Sequence, residues 1–127
     1  MKDKLLALLD RAYAPYSKFK VAAILEMSDG RLIPGVNVEN ASYGGTICAE
    51  RNAITTAVAL GYKKGEFKNL YIMVSGDKLS MPCFICRQVI IEFMEDNDKI
   101  ILMDKDGNQK EYTVKECCPY PFDENDL

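Results

Sequence analysis

The amino-acid sequence predicts an α/β protein with three layers, a three-layer sandwich in which helices flank a central five-stranded mixed β-sheet. Helical and strand-like segments follow one another in the order α-β-β-α-β-α-β-β, and two of the later strands are separated by a helix, as in a right-handed parallel crossover. The 127 residues suffice to bury one core. No repeat or linker interrupts the chain, so we expect residues 1–127 to form a single domain.

The first half of the chain has two helical patterns with a hairpin pattern between them. The predicted elements are a helix at residues 3–14, strands at 20–27 and 31–38, and a helix at 48–60. Pro15 is expected to end the first helix, because proline restricts the residue before it. The turn-forming residues 28–30 separate the two strands. Gly61 follows the second helix at a position typical of a helix end.

The second half of the chain completes the predicted sheet. Its predicted elements are a strand at 69–74, a helix that begins near Cys83, strands at 99–103 and 109–113, and a short terminal helix. Pro82 suits the start of a helix, and Thr113 with Glu116 is typical of a capping box. We expect the second and third helices to lie side by side, with their N-termini close together at the carboxyl edge of the sheet.

Composition excludes several classes of function. The net charge of -3 argues against nucleic acid as a partner, because a polyanion is bound by a surplus of Lys and Arg. No apolar segment approaches the ~20 residues of a membrane span, and the chain starts with a helix pattern where a signal peptide would have an apolar core. We therefore expect a cytoplasmic protein with no membrane association. Histidine is absent, so proton chemistry depends on other residue types.

Five cysteines carry the strongest chemical signal, at positions 48, 83, 86, 117 and 118. A chain without signs of secretion favours metal binding or catalysis over disulfides. Cys83 and Cys86 have the C-x-x-C spacing, which suits zinc or a redox dithiol, and Cys48 supplies a third thiol at the other helix start. Three sulfur ligands leave the fourth position that a catalytic zinc requires. Glu50 then lies where it can take a proton from an activated water.

A zinc ion with three thiolates carries a negative charge, which positive groups must offset. Arg51 and Arg87 each follow a residue of the candidate site, and two helix N-termini add partial positive charge. Two other classes of function stay open. A structural zinc module would use Cys117 or Cys118 as fourth ligand and would not need Glu50, whereas a redox protein would use Cys83 with Cys86.

Two segments, Cys48-Ala49-Glu50-Arg51 and Pro82-Cys83-x-x-Cys86-Arg87-Gln88, resemble the zinc signature of the cytidine deaminase family. The similarity extends to segments 14–21, 35–43 and 119–122. The resemblance implies the small homotetrameric type, which binds one Zn²⁺ per chain and deaminates cytidine and deoxycytidine with release of ammonia. It assigns Cys48, Cys83 and Cys86 to the metal and Glu50 to the proton transfers. The alternative within this class is a deaminase of a modified cytosine nucleoside or nucleotide.

The resemblance also assigns residues to the nucleoside. The implied substrate-binding residues are Phe19, Asn37, Glu39, Ala41, Tyr43, Ala49 and Phe122. Among these, Asn37 and Glu39 are expected to hold the ribose 3′-hydroxyl, and Phe19 to pack on the pyrimidine. Residues matching Ala41, Tyr43 and Phe122 reach into an adjoining subunit's site in the family. The sequence departs from the family at Met81, where a serine is usual, at Phe84-Ile85, where small residues are usual, and at two further places, Ala22 and Cys117-Cys118.

Overall fold

The computed structural model describes residues 1–127 and is built around a five-stranded mixed sheet. The helices are α1 (Lys2–Leu9), α2 (Ala49–Ala59), α3 (Phe84–Phe93) and α4 (Val114–Cys117). The strands are β1 (Val21–Met27), β2 (Leu32–Val36), β3 (Phe67–Val74), β4 (Lys99–Met103) and β5 (Gln109–Thr113). Short 3₁₀ turns lie at Tyr43–Gly45 and Glu124–Asp126. The strand order is β2-β1-β3-β4-β5, which confirms the predicted five-stranded mixed sheet.

The predicted hairpin and crossover are both present. Strands β1 and β2 pair antiparallel across a turn in which Gly30 has φ +87, a conformation that glycine adopts without steric cost. Strands β3 and β4 are parallel and are connected through α3. Strand β3 begins two residues before the predicted start, because Phe67 is buried and pairs with Met27 beyond a β-bulge. The parallel pair puts the start of α3 at the carboxyl end of β3.

Helices cover both faces of the sheet, which gives the predicted three layers. On one face, Leu5 and Leu9 of α1 pack with residues that include Ala22 and Met73. On the other face, Ile54 of α2 and Ile90 of α3 belong to a larger buried cluster that includes Leu25 and Leu70. Successive strand residues point to opposite faces, which is why neighbouring positions of β1 serve different clusters. Helices α2 and α3 are in contact, as predicted.

The first helix is shorter than predicted. It ends at Leu9 rather than at residue 14, so the prediction that Pro15 ends the helix was wrong. Tyr13 instead forms a parallel β-bridge with Val38, in which the Tyr13 amide donates to the Asn37 carbonyl (3.0 Å) and the Glu39 amide donates to the Tyr13 carbonyl (2.8 Å). This pairing with a distant segment replaces the last helical turn. It also places the segment after Tyr13 beside residues 37–39.

Strands β2 and β5 form the two edges of the sheet, and the short helix α4 follows β5. The outer strand β2 carries an exposed proline, Pro34, and the outer strand β5 exposes Lys110 and Glu111. After β5, the Thr113 hydroxyl accepts a hydrogen bond from the Glu116 amide while the Glu116 carboxylate accepts one from the Thr113 amide, which confirms the predicted capping box. None of the helices combines the length and the apolar character that a bilayer span needs.

Candidate functional site

Three cysteine sulfurs meet where α2 and α3 begin. Cys48 is the N-cap of α2 and Cys83 is the N-cap of α3, while Cys86 lies in the first turn of α3. Their sulfur atoms all lie within 4.8 Å of one another, and the Cys48 and Cys83 sulfurs are 3.8 Å apart. Two helices therefore bring residues that are 35 or more positions apart in the sequence to one point.

The sulfur geometry fits zinc. Zn–S bonds of about 2.3 Å at tetrahedral angles require sulfurs roughly 3.8 Å apart, which matches the distance between Cys48 and Cys83. Cys86 is fully buried, whereas Cys83 is exposed, so the sulfur cluster has a closed side and an open side. Cys117 and Cys118 are buried elsewhere and do not belong to the cluster. The three sulfurs thus leave a fourth ligand position free, and the fourth cysteine of a structural zinc module is absent from the cluster.

Positive charge lies against the sulfurs. The Arg51 guanidinium donates from Nη2 to Cys48 Sγ (3.5 Å). The Cys86 side chain and then the Arg51 guanidinium lower the pKa of Cys48 to about 5, while burial acts in the opposite direction. The neighbouring Cys48 and burial raise the pKa of Cys86. The arginine beside the sulfurs thus favours the thiolate form of Cys48, which is the form that binds a metal.

Arg51 gives an independent indication of an anionic centre. Its Nε is buried and has no hydrogen-bond partner. The hydrogen bond to Cys48 raises the pKa of Arg51, so the side chain stays cationic. A partly buried guanidinium with an unpaired donor is costly unless anions lie nearby. Three thiolates around a divalent cation supply that negative charge.

Glu50 is a buried carboxyl group beside the sulfurs. It is only 4% exposed, and Cys86 Sγ donates to Glu50 Oε2 at 3.7 Å. Burial is the main cause that raises the pKa of Glu50. A carboxyl group whose pKa is raised by burial is better suited to release a proton that it has accepted than an exposed carboxylate is. Its place in the first turn of α2 fixes it next to the sulfur cluster.

A cavity of about 170 Å³ opens onto Glu50 and the sulfurs. Its lining consists of Phe19, Val21, Asn37, Thr46, Cys48, Glu50, Ile72, Val74, Ser80, Met81 and Cys83. Most of these side chains are apolar, and the few polar groups lie at the sulfur end and around Asn37. An apolar cavity with a small number of convergent polar groups is typical of a small-molecule site. Of the sequence-predicted residues, Phe19 and Asn37 lie here together with Glu50.

The Asn37 amide holds the rim of this cavity. Asn37 is 7% exposed, its Nδ2 donates to the Phe19 carbonyl (2.8 Å), and its Oδ1 accepts from the Val21 amide (2.8 Å). These bonds fix the backbone on both sides of Lys20 and so position the Phe19 ring. One N–H of the amide stays available to a ligand, since Nδ2 carries two.

Glu39 lies in a second depression, of about 420 Å³, which shares Thr46 with the first. Its carboxylate accepts hydrogen bonds from the Tyr16 amide, the Ser17 amide and the Ser17 hydroxyl. The Ser17 hydroxyl is the main cause that lowers the pKa of Glu39. Tyr43 lines this depression and is 79% exposed. The two depressions are neighbours, with Thr46 in the wall of each.

The remaining predicted residues are not brought to the cavity within one chain. Ala49 is fully buried under the start of α2, and Ala41 is exposed in the loop before Tyr43. Phe122 lines a separate cavity of about 260 Å³ on the outer side of α3, together with Arg87. Arg87 donates to two backbone carbonyls, those of Pro82 and Cys117, whereas Arg51 donates to a sulfur.

Sequence reasoning missed several residues of the cavity wall. Thr46 and Ser80 line it, and Ser17 holds Glu39 in place. Ile72 and Val74 also line it, two residues apart on β3. Their spacing is the two-residue period of one sheet face, and this signal identifies the wall once the carboxyl end of β3 is assigned to the site. Thr46 and Ser80 carry no comparable signal, because their loops have no periodicity.

The chain is similar to known proteins of one family. The family model described as "Cytidine and deoxycytidylate deaminase zinc-binding region" matches residues 1–103. A cytidine deaminase of Halalkalibacterium halodurans is 42% identical over 118 residues, which cover 91% of this chain and 86% of that protein. A cytidine deaminase of Mycoplasma genitalium is 35% identical over 113 residues, covering 89% of this chain and 85% of that protein.

Solved structures that are similar to this chain are also cytidine deaminases. The crystal structure of cytidine deaminase from Burkholderia pseudomallei matches with a TM-score of 0.90 and 39% sequence identity, covering 94% of each chain. That of cytidine deaminase from Mycobacterium leprae matches with a TM-score of 0.78 and 36% identity, again over 94% of each chain. The similarity thus extends over nearly the whole chain and includes both helices of the sulfur cluster.

Proposed function

The chain belongs to the cytidine and deoxycytidylate deaminase family, and from this premise we propose that it is a zinc-dependent enzyme that hydrolyses cytidine and deoxycytidine. Water replaces the amino group at C4 of the cytosine, and the products are uridine or deoxyuridine and ammonia. The observation that carries the proposal is the buried Glu50 carboxyl group beside three convergent sulfurs in one apolar cavity. A purely structural metal site has no use for that carboxyl group.

Glu50 moves the protons in the proposed reaction. Cys48, Cys83 and Cys86 would hold the zinc ion, which would supply the Lewis acidity that activates the attacking water. Glu50 would take one proton from that water and pass it to N3 of the ring, and would then take the remaining hydroxyl proton at C4 and pass it to the amino group, which leaves as ammonia. Its raised pKa suits both directions of transfer, and its burial keeps bulk water away from these steps.

The cavity wall selects the substrate. The Phe19 ring and the ends of β1 and β3 form an apolar surface for a pyrimidine, and Asn37 offers its free N–H toward the sugar. Glu39 is held anionic by its hydrogen bonds, and it lines the neighbouring depression, in which we place the ribose. A carboxylate here accepts a hydrogen bond from a sugar hydroxyl and repels a phosphate. We therefore propose free nucleosides, rather than nucleotides, as substrates.

Replacing Glu50 by glutamine tests the proposed function. The change keeps the shape of the side chain and removes its proton transfer, so the rate of cytidine deamination should fall by at least ~10²–10⁴ while zinc content stays the same. Absorbance reports turnover, and metal analysis reports zinc. The control is Glu92→Gln, the same change at an exposed position of α3. Near-normal turnover of Glu50→Gln with zinc bound overturns the assignment.

We further propose that the enzyme is a homotetramer whose sites are shared between chains. Two observations support this: Tyr43 is 79% exposed, and Phe122 is 58% exposed and lines a cavity away from its own sulfur cluster. Refolding Glu50→Gln chains together with Phe122→Ala chains tests the sharing. Some mixed sites then combine an intact Glu50 with an intact Phe122, so activity should exceed the mean of the two parents. Activity equal to that mean, in mixed tetramers verified by sedimentation, contradicts it.

A role in pyrimidine salvage within the cytoplasm is consistent with this chemistry. All five cysteines are free, and three of them must stay reduced to hold a metal. The product uridine keeps its sugar and is ready for phosphorylation. We propose no nucleic-acid substrate, because the net charge of -3 opposes a polyanion.

A further inference from the structure

The Arg87 side chain makes three contacts with two separate parts of the chain. Its Nε donates to the Pro82 carbonyl (2.9 Å) and its Nη1 donates to the Cys117 carbonyl (2.7 Å). The guanidinium carbon lies 4.3 Å from the centroid of the Phe84 ring. A planar guanidinium that makes two directed hydrogen bonds and one stacking contact holds a single orientation.

Two of these contacts concern the metal loop, by which we mean residues 82–86. The Arg87 side chain binds the carbonyl just before Cys83, and the Arg87 backbone amide donates to the carbonyl of Cys83 itself (2.9 Å). The Cys83 backbone is therefore held on both sides by one residue. Because Cys83 is the exposed member of the sulfur cluster, no packing holds its side chain from the solvent side.

The third contact concerns the C-terminal tail, by which we mean residues 118–122. Arg87 holds the Cys117 carbonyl, where α4 ends and the tail starts. At the other end of the tail, Gln88 Nε2 donates to the Phe122 carbonyl (2.7 Å). Neighbouring residues of α3 thus attach both ends of the tail, and the second of these ends carries the Phe122 ring.

Phe84 shields the link. Its ring is 78% exposed and covers the guanidinium, so water has less access to the two hydrogen bonds of Arg87. Phe84 stands where small residues are usual in the family. Stacking on Arg87 gives this exposed aromatic side chain a physical role.

We propose that Arg87, covered by Phe84, is a positioning residue that links metal binding at Cys83 to the order of the C-terminal tail. A bound metal restrains Cys83 and Pro82, which keeps the guanidinium in place and so keeps the tail on α3. The effect is reciprocal, because two events that share one set of contacts influence each other equally. The inference rests on the proposed function for the identity of the metal, and it adds that the metal state of one chain controls the placement of that chain's Phe122.

The rate of zinc release tests the proposed effect of Arg87 on metal binding at Cys83. Arg87→Gln removes the forked donor, and zinc transfer to a chromogenic chelator should become about 10-fold faster or more, as is typical when a group that orients a ligand is lost. Arg87→Lys should restore little, since a single ammonium cannot serve two carbonyls as a fork does. The control is Arg11→Gln, at an exposed position far from α3 in the sequence. If Arg87→Gln does not fold, Phe84→Ala replaces it, because this change removes only the exposed ring that covers the guanidinium. Zinc transfer from Phe84→Ala should then also be faster than from the unmodified protein.

Amide hydrogen exchange tests the proposed effect of the metal on the order of the C-terminal tail. In the full-length protein, removing zinc with a chelator should speed amide exchange in peptides that cover residues 117–123, while β1 and β3 stay protected. Arg87→Gln should speed exchange there with zinc still bound and should cancel the difference between zinc and apo protein. Gln88→Leu should loosen the tail and, because the effect is reciprocal, should also speed zinc transfer, though less than Arg87→Gln does.

The outcomes separate this inference from the proposed function. A protein that holds zinc and deaminates cytidine, but whose tail exchange is the same with and without zinc, overturns the link alone. Zinc retention in Arg87→Gln equal to that of the unmodified protein also overturns it. A protein that binds no zinc at the three cysteines overturns both proposals, and a linked tail in a protein that does not act on cytidine overturns only the function.

Discussion

Gly35→Ala tests how the sheet positions helix α2. A Cβ atom at Gly35 would lie 2.3 Å from the Ala49 carbonyl oxygen and 2.6 Å from the Ala53 amide nitrogen. Both are backbone atoms of α2, so no side chain can rotate away. Ordinary contact begins near 3.4 Å, so Gly35→Ala requires the first turns of α2 to move away from β2 by about 1 Å.

The cost of that movement follows from what α2 carries. Overpacking of this kind costs about 1–3 kcal/mol, and backbone contacts place this case at the upper end. We expect the melting temperature of the zinc-loaded protein to fall by roughly 5–15 °C at fixed protein and zinc concentration. Cys48 and Glu50 move with the helix, and a misplacement of about 1 Å should lower kcat by roughly 10²-fold.

Thermal unfolding and steady-state kinetics on the same preparation check both effects. The matched control is Gly76→Ala, since a Cβ there meets nothing within 4 Å and the backbone is not in the left-handed region. Gly76→Ala should change neither quantity. If Gly35→Ala unfolds at the same temperature as the unmodified protein and keeps its kcat, the close approach of β2 to α2 does not position Glu50.

Three further predictions concern other parts of the chain. Cys48→Ser should lose most of the bound zinc in metal analysis, whereas the double change Cys117→Ser and Cys118→Ser should keep it. The reverse result would mean that Cys117 and Cys118 hold a structural metal. Thr113→Ala removes the cap of α4 and should lower stability by about 1 kcal/mol in urea unfolding, and a change below ~0.3 kcal/mol would mean that the capping box does not matter. Hydrogen bonds lower the pKa of Glu39, so its contribution to local order is present above its ordinary pKa and is lost as the pH falls through the lowered value. Ser17→Ala removes one of these bonds, so this loss should occur at a higher pH when amide exchange of residues 16–19 is followed. An unchanged midpoint of that pH dependence would contradict this prediction.

Local patterns predicted most of the fold because they agree with one another. The leucine spacing of α1, the turn at Gly30 and the capping box at Thr113 each act over a few residues, and a sequence window contains all their physics. The end of α1 could not be predicted in this way. Tyr13 leaves the helix for hydrogen bonds with a segment more than 20 residues away, and no local signal competes with that pairing.

The residues of the candidate site likewise comprise some that local sequence patterns predict and others that depend on long-range contacts. The cysteines and Glu50 have fixed spacings at two helix starts, so the sequence alone could bring them together. The hydrogen bonds that hold Glu39 come from the loop after Tyr13, and they depend on the same long-range pairing that shortened α1. The contacts of Arg87 depend on where the chain returns after β5, which spacing around Cys86 does not encode.

The two outer strands have a consequence for how copies of this chain can meet. An open sheet edge is a template on which another strand can add, and proteins guard such edges with proline and charge. Here Pro34 takes one amide donor from the β2 edge, and Lys110 with Glu111 makes the β5 edge costly to cover. Extension of the sheet from one chain into the next is therefore disfavoured at both outer strands.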